Sequence, residues 1–372
     1  MSEQRKPRVA VVFGGRSSEH AISCVTAGSV LSAIDQERYD VVPVGITRSG
    51  SWVLASGDTE SLAIKEGRLP EVDDTGNALA LPFDAESAGL VQLTPGQVPT
   101  EVGEVDVVLP LLHGPFGEDG TIQGLLELTG TRYAGAGVFA SAAGMDKVFM
   151  KVLLQGQGFE VGPYVQVPDR RWRLERKRVL DDIEQLRGPV FVKPARAGSS
   201  VGISRVDDSG DVEAVTAAIE AAREHDPKVL VEEGISGREI ECGVLESLDG
   251  GFPDASVPAE IHMDTNHAFY DFEAKYLAAS ELGIPADLPT DVTQEIRRLA
   301  AEAFDALGCE GLARVDFFYA DDGRILVNEL NTMPGFTPSS AFPRMWAATG
   351  VDYPALVDRI LRTALNRKVG LR

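Results

Sequence analysis

Cysteine is scarce in this sequence, and the few cysteines present are far apart. Cys24, Cys242 and Cys309 are odd in number and lack the short spacings of metal ligands. Neither a disulfide framework nor a zinc site is indicated, and a reducing compartment fits. Long apolar runs are lacking too, because the first run, Val9 to Phe13, is far shorter than a membrane span and shorter than a signal-peptide core. We therefore expect a soluble cytoplasmic protein with no membrane contact.

Positive charge is in the minority. The chain has 35 lysine and arginine residues against 57 aspartate and glutamate residues, which gives a net charge of −22. This charge repels a phosphate backbone, so we expect no nucleic-acid partner. The densest basic run, Arg170 to Arg178, is followed directly by acidic residues. We interpret it as a solvated loop and helix face rather than a binding patch.

The apolar runs predict an α/β fold. Val9–Phe13, Val41–Ile46 and Val105–Leu112 alternate with stretches that can be helical. This pattern is typical of buried parallel strands, so the first domain should be a doubly wound parallel sheet. Residues 56–101 are rich in Gly, Pro, Asp and Glu, and we interpret them as a surface excursion rather than core.

The length of 372 residues allows two or three domains. Two α+β lobes should follow the first domain, because hairpin-like strands continue along the chain. A helix is predicted from about Val292 to Leu307, with Asp291 capping its start and Gly308 ending it. We place the three domains at residues 1–140, 141–232 and 233–372.

An Asp-Gly turn signal at residues 322–323 lies between two strand-like runs. A two-residue hairpin centred there would place Asp316 opposite Glu329. Arg314 would then lie opposite Asn331, on the same face of the hairpin, because side chains alternate along each strand. The sequence therefore predicts a cluster of charged and amide side chains on one face.

Two carboxylates in directly opposed positions repel each other unless a cation lies between them. Oxygen ligands from Asp316, Glu329 and Asn331 suit magnesium, which takes one or two carboxylates together with substrate phosphates. The alternative is a solvated polar face on which Arg314 simply neutralises the acids. The following loop, residues 332–340, favours a site, because its glycine permits close backbone approach and its serines offer hydroxyls.

Three turns after apolar strands carry further candidate residues. Lys193 precedes a small-residue loop, Ala197 to Gly202, whose amides could surround phosphate oxygens, although it lacks the order of a P-loop and a plain hairpin is the alternative. Glu19 stands at a probable helix start, where it would attract a substrate amine. His113 also follows a buried strand, in a setting where histidine is structural more often than catalytic.

Taken together, these segments closely resemble D-alanine–D-alanine ligases of the ATP-grasp superfamily. The matching motifs run in order from residue 14 to residue 340: GGRSSEHAIS, LLHGPFGEDGTIQG, MDKVFMK, VFVKPARAGSSVGIS, VEEGISGREI, FYDFEAKY, IPADLP, GLARVDFF and VNELNTMPGFTPSS. The resemblance implies three domains, with ATP between the second and third and two D-alanine molecules at the junction of all three. It also implies a homodimer.

The resemblance assigns a role to each matched residue. The nucleotide would be held by Lys147 and Lys193 at its phosphates and by Glu232, Glu233 and Glu239 at the adenine hinge and ribose. Two magnesium ions, with manganese as a substitute, would be bound by Asp316, Glu329 and Asn331. The first D-alanine would be held by Glu19 with Ser199, Tyr276 and nearby His113, and the carboxylate of the second by Ser340 and Lys275. Arg314 and the backbone N–H of Gly335 would face the tetrahedral centre.

The implied reaction activates the first D-alanine as an acyl phosphate, which the amine of the second then attacks, and it supplies peptidoglycan precursor synthesis. Related ligases that use D-lactate generally lack the loop that contains Tyr276, so this tyrosine favours D-alanine unless it is a packing residue. Ala341, where many relatives have Leu or Met, leaves the size of the second subsite open. The rival interpretations are a depsipeptide ligase and a nucleotide-binding regulator, and the complete charged set argues against the regulator.

Overall fold

The computed structural model describes residues 5–65, 68–74, 76–80, 89–94, 97–198, 201–262, 282–368 and 370. Within these residues the chain forms three sheets, with helices packed around them. No helix in this part of the chain has both the length and the apolar character needed to cross a membrane.

The first sheet has seven strands in the order β6-β5-β4-β3-β2-β1-β7. Its strands are β1 (Arg8–Gly14), β2 (Asp40–Ile46), β3 (Trp52–Leu54), β4 (Asn77–Ala80), β5 (Gly89–Leu93), β6 (Thr100–Glu104) and β7 (Val107–Pro110). The helices are α1 (His20–Ala33), α2 (Thr121–Leu128) and α3 (Val138–Met145). The three predicted apolar runs form β2, β1 and β7, which are parallel neighbours, so the α/β fold class is confirmed.

The interpretation of residues 56–101 as a surface excursion is wrong. This segment supplies β4, β5 and the start of β6, which extend the parallel strands as antiparallel neighbours. Leu79 and Leu90 from these strands are 6% and 2% exposed and belong to the core of the domain. The short strands lack a continuous apolar run because one face of an antiparallel extension meets solvent.

The second sheet is a four-stranded antiparallel layer in the order β10-β9-β11-β8. Its lobe contains α4 (Lys147–Gly156), β8 (Tyr164–Val167), α5 (Asp169–Leu174), α6 (Arg176–Ile183), β9 (Val190–Pro194), β10 (Ser204–Val206), α7 (Val212–Arg223) and β11 (Val229–Glu233). The basic run lies on α5 and α6, where Arg173 pairs with Asp169 at 2.9 Å and Arg176 stacks on Trp172. It is a solvated, ion-paired helix surface, as predicted.

The third sheet has six strands, with β15-β14-β12-β16-β17 in order and β13 beside β12. Its elements are β12 (Gly237–Leu245), β13 (Asp254–Ala255), β14 (Ala259–Ile261), β15 (Leu282–Gly283), α8 (Thr290–Ala306), β16 (Leu312–Ala320), β17 (Ile325–Asn331), α9 (Ala341–Thr349) and α10 (Tyr353–Asn366). Helix α8 begins after Pro289 without a side-chain cap, so the capping role predicted for Asp291 is wrong. Gly308, with φ +67°, follows the helix end as predicted.

The first and third units share a hydrophobic core. Phe342 and Trp346 of α9 and Leu361 of α10 belong to the same buried cluster as Val11 of β1 and Cys24 of α1. By contrast, the cluster between the second sheet and its helices contains residues 167–231 alone. The predicted boundaries at 140/141 and 232/233 stay predictions.

Candidate active site

A cavity of about 980 Å³ lies where the three sheets meet. It is lined by residues of every unit, from Glu19 in the first to Arg344 in the last. A volume of this size accommodates a nucleotide-sized ligand with smaller molecules beside it. Thirteen predicted site residues line it: Glu19, His113, Lys147, Lys193, Glu232, Glu233, Glu239, Arg314, Asp316, Glu329, Asn331, Gly335 and Ser340. The remaining three, Ser199, Lys275 and Tyr276, lie outside the described residues.

The hairpin of β16 and β17 forms one wall of this cavity. Asp316 lies opposite Glu329 and Arg314 opposite Asn331, as predicted. The turn differs from the prediction, because it has three residues, 321–323, rather than two. An irregularity after Asp316 places one extra residue in β17 and restores the predicted pairing.

Arg314 neutralises the acidic face of the hairpin. Its guanidinium donates two hydrogen bonds of 2.7 Å to Asp316 in a fork, and its Nε lies 3.2 Å from Oε1 of Glu241 on β12. Asn331 donates a third bond to Asp316 at 3.0 Å. Burial opposes the charge of Arg314, but Asp316 and Glu241 hold its pKa well above the ordinary value. The neutralising role weighed for Arg314 is thus observed, inside a cavity rather than on a solvated face.

Lys147 connects the hairpin to the small-residue loop. It is the first residue of α4, where Asp146 caps the helix by accepting bonds from the Val148 and Phe149 amides. Its Nζ lies 3.2 Å from Glu329 and donates to the carbonyl of Ala197 at 3.1 Å. Burial lowers the pKa of Lys147, but the charge of Glu329 more than offsets this and raises it.

Glu232, at the end of β11, is bound by two lysines. Lys193 of β9 pairs with its Oε2, and Lys151 of α4 pairs with Oε1 at 2.7 Å. Burial favours the neutral acid, but the two ammonium groups lower the pKa of Glu232 to about 2. The neighbouring Glu233 accepts a bond from the Arg187 amide instead, because successive side chains of a strand point to opposite faces.

The corner contributed by the first unit is buried and acidic. Glu118 accepts a 2.6 Å bond from the amide of Gly114, and both Glu118 and His113 hydrogen-bond to the backbone of Met333. Burial and the charge of Glu19 raise the pKa of Glu118 to about 8. Burial lowers the pKa of His113, against the opposing effect of Glu19. These contacts join the turns of the first sheet to the loop that follows β17.

Gly114 allows Glu19 to approach this corner. Its φ of +72° favours glycine, and a Cβ at this position would lie 2.4 Å from Oε2 of Glu19. Glu19 itself is 6% exposed and precedes the first turn of α1, as predicted. The first unit thus presents a buried carboxylate to the cavity.

The loop after β17, residues 332–340, is anchored by contacts with Tyr353 and by a hydrogen bond within the loop. The hydroxyl of Tyr353 donates to the carbonyl of Phe336 at 2.7 Å, and the two rings pack with centroids 5.6 Å apart. Ser340 precedes α9 and accepts a bond from the Thr337 amide at 3.2 Å. Gly335 lies between these anchors and lines the cavity.

Sequence reasoning missed five charged residues that also line the cavity: Glu118, Lys151, Arg205, Glu241 and Arg344. Signals were present for three of them. Lys151 lies one helical turn after Lys147, and Glu241 lies two residues after Glu239 on one strand face. Glu118 belongs to the turn that contains His113.

The donor set fits a hard divalent cation. Asp316, Glu329 and Asn331 offer carboxylate and amide oxygens, with no thiolate or imidazole among them. Across the described ranges, no three His, Cys, Asp or Glu side chains gather as a complete metal site. Magnesium in such sites usually takes its other ligands from substrate phosphates and water.

His20, at the start of α1, gives a prediction for stability. Its Nδ1–H donates to the Gly15 carbonyl at 2.6 Å, and its Nε2 accepts from the Val72 amide at 3.0 Å, so a second proton would break the Val72 bond. Burial is the main cause that lowers the pKa of His20 below 6.5. The unfolded chain therefore binds more protons, and the unfolding temperature should fall as the pH drops below 6.5.

The variant His20→Gln should show a shallower fall, because an amide can donate one bond and accept the other without titrating. The unfolding temperature of this variant should still fall somewhat at low pH, since the pKa of buried His113 is lowered too. Thermal unfolding followed by circular dichroism from about pH 5 to 8 measures the difference. Equal slopes for both proteins would contradict the role of His20.

Comparison with known proteins adds a second line of observation. Residues 8–136 match the family model described as D-ala D-ala ligase N-terminus, and residues 153–362 match that of the D-ala D-ala ligase C-terminus. The D-alanine--D-alanine ligase of Kineococcus radiotolerans is 59% identical over 381 residues, and that of a Mycobacterium species is 58% identical over 379, with 100% of both chains covered in each case.

Two solved structures are also similar. The D-alanine-D-alanine ligase from Coxiella burnetii aligns with a TM-score of 0.80 at 32% identity, over 98% of this chain and 95% of that one. A D-Ala:D-Ser ligase from Enterococcus faecalis aligns with a TM-score of 0.82 at 34% identity, over 96% of this chain and 99% of that one.

Proposed function

The chain belongs to the D-alanine–D-alanine ligase family, and on that premise we propose how its cavity divides the work of joining two D-alanine molecules at the expense of ATP. The enzyme is a three-domain ATP-grasp ligase that forms ADP, phosphate and D-alanyl-D-alanine for peptidoglycan precursor synthesis. The observation that supports the division of roles is the opposed pair Asp316 and Glu329, flanked by Arg314 and Lys147 in one cavity.

The nucleotide binds between the second and third sheets in this proposal. Lys147 and Lys193 hold its phosphates, while Glu232, Glu233 and Glu239 line the adenine hinge and the ribose. These lysines spread the charge of the transferring phosphoryl group, and that stabilisation is the main requirement of phosphoryl transfer. The carboxylate of the first D-alanine accepts the γ-phosphoryl group and becomes D-alanyl phosphate, a far better electrophile.

The first D-alanine lies in the acidic corner. Glu19 binds its ammonium group with help from Ser199 and Tyr276, and His113 is nearby. Because Glu19 is almost fully buried, its attraction for an ammonium group is screened less than it would be at the surface. The corner thereby fixes which end of the amino acid faces the phosphates.

The second D-alanine is oriented by Ser340 and Lys275, which receive its carboxylate. Its amine attacks the acyl phosphate, and the developing oxyanion is stabilised by Arg314 and the backbone N–H of Gly335. The carbonyl of Phe336 and the amide of Thr337 are already bonded, so the loop that carries Gly335 is preorganised. Collapse of the tetrahedral centre expels phosphate and leaves the dipeptide.

The family uses a divalent metal with ATP, and we propose two magnesium ions, replaceable by manganese, bound by Asp316, Glu329 and Asn331. When bound, such ions neutralise the β- and γ-phosphates. The protein's own part is to offset the negative charge of both carboxylates, and Arg314 and Lys147 supply the cations that do so.

The identity of the second substrate distinguishes a D-alanine–D-alanine ligase from a depsipeptide ligase. Tyr276 favours D-alanine over D-lactate, while the similar Enterococcus faecalis structure is that of a D-Ala:D-Ser ligase. Ala341 begins α9 and lines the cavity beside Ser340 and Arg344, so it borders the subsite that would receive the second amino acid. A depsipeptide ligase is the second candidate function.

Phosphate release from ATP and magnesium, first with D-alanine alone and then with excess D-lactate or D-serine, tests the proposal. We expect D-alanyl-D-alanine as the main product in every case, identified by mass. A predominance of depsipeptide with D-lactate would move the assignment to the rival. No phosphate release with any acceptor would favour the regulator.

We also propose a cytoplasmic homodimer that forms through the first domain. Leu128 at the end of α2 and Phe139 in α3 are 74% and 58% exposed, and they offer apolar contact on this domain. Light scattering after gel filtration measures the mass in solution, and a monomer would contradict this assembly.

A further inference from the structure

Lys151 is a buried lysine to which none of the assigned roles applies. It lies in α4, one turn after Lys147, and is 2% exposed. Its Nζ lies 2.7 Å from Oε1 of Glu232 and donates to the carbonyl of Asn328 at 3.2 Å. Removing an ammonium group from water is costly, so a lysine in this position needs close ionic and hydrogen-bonding partners.

Lys151 shares Glu232 with Lys193. Lys151 is bound to one carboxylate oxygen and Lys193 to the other. In the proposed function, Lys193 also binds the phosphates of ATP. A phosphate oxygen that approaches Lys193 therefore competes with Glu232 for the same ammonium group.

Lys193 and Lys151 differ in their positions and in their contacts other than Glu232. Lys193 precedes the Ala197–Gly202 loop and lies on a strand of the second sheet. Lys151 bridges two sheets, because Glu232 belongs to β11 and Asn328 belongs to β17, next to Glu329. The bond to Asn328 anchors Lys151 independently of the nucleotide.

We propose that Lys151 is a positioning residue for ATP binding. Lys151 remains the permanent counter-ion of Glu232 and so leaves Lys193 available to the phosphates. The inference rests on the proposed function and extends it to a residue outside the assigned set. It predicts that the charge of Glu232 becomes harmful to nucleotide binding once Lys151 is removed, because Glu232 then retains Lys193.

The variant Lys151→Met, of similar length but without charge, should weaken ATP binding by about tenfold or more. The turnover number at saturating ATP should change much less than KM for ATP, and KM for D-alanine should not change. Glu232 itself lines the nucleotide site, so the double variant with Glu232→Gln is compared with Glu232→Gln alone. The two should bind ATP equally, because a neutral amide does not retain Lys193. A mere packing defect at Lys151 would lower the affinity of the double variant below that of Glu232→Gln.

The matched control is Lys228→Met. Lys228 is also largely buried, with a side chain 15% exposed, and it pairs with the helix-capping Asp146 at 2.8 Å. Its loss should lower the unfolding temperature without changing the affinity for ATP. The control distinguishes the general effect of losing a buried ion pair near α4 from the specific effect of losing the ion pair with Glu232.

Isothermal titration of the full chain with ATP and magnesium, without D-alanine, measures these affinities. Wild-type affinity in Lys151→Met overturns the inference alone, while a wild-type protein that binds no ATP overturns the proposed function and the inference together. If Lys151→Met does not fold, Glu232→Gln is compared with the double variant. Equal affinities support the inference, and a further loss in the double variant overturns it.

Discussion

Replacement of Arg314 by alanine should nearly abolish dipeptide formation while ATP binding is retained. Loss of one donor to an oxyanion typically lowers the rate about 10²–10³-fold, or about 3–4 kcal/mol. Loss of the forked hydrogen bonds from Arg314 to Asp316 should also destabilise the site, because Asp316 and Glu241 then lack their shared cation. Steady-state phosphate release and titration with ATP measure the two effects separately.

Arg314→Lys refines this test. Lysine keeps the positive charge but not the planar fork, so it should preserve folding and ATP affinity better than it preserves turnover. Arg324 supplies the matched control, since it lies on the same hairpin, is half exposed and pairs with Asp322. Arg324→Ala should behave as wild type. Unchanged turnover in Arg314→Ala would remove Arg314 from the mechanism.

Replacement of Asp316 by asparagine is expected to have the second large effect. The substitution keeps the shape of the side chain but removes the charge that attracts both Arg314 and a divalent cation. Turnover should fall by about 10² or more, and the magnesium concentration needed for half-maximal activity should rise. Arg314 would keep Glu241, which lies 3.2 Å from its Nε.

The control for this variant is Asp322→Asn. Asp322 lies in the turn of the same hairpin, where its side chain is 54% exposed and pairs with Arg324. An exposed pair of this kind contributes little, so turnover and magnesium dependence should not change. An Asp316→Asn enzyme with the magnesium dependence of the wild type would rule out Asp316 as a ligand.

The register of this hairpin shows how far sequence reasoning reaches. The prediction of Asp316 opposite Glu329 is confirmed, although the assumed two-residue turn is wrong. The turn has one residue more, with Gly323 at φ +86°, and the irregularity beside Asp316 compensates for it. Alternation identifies which residues share a face, but the sequence does not indicate where a bulge absorbs an extra residue.

The same limit applies to the charged neighbours of the site. The motifs indicated thirteen residues that the structure places around one cavity. Lys151 and Glu241 were missed since their roles depend on partners far away in the chain, Glu232 and Arg314. Local patterns do not show which distant side chain pairs with which.

Residues 56–101 were misread for a different reason. The segment is polar overall, and its strands are four and five residues long, so no apolar run marks them. They join the sheet because β4 pairs with β3 and β5 pairs with β4, and the composition of the segment does not indicate this pairing. Antiparallel extensions of a parallel sheet are therefore the part of this fold that composition describes least well.

The shared core of the first and third units limits how the chain can be divided. Leu361 and Trp346 are buried with residues of β1 and α1, and Tyr39 donates to Asp358 of α10 at 2.8 Å. A fragment that ends at residue 140 would lack these helices and expose apolar surface to solvent. The cluster between the second sheet and α5–α7 draws its fully buried residues from 167–231, so this part of the chain has a hydrophobic core of its own and does not depend on the shared one.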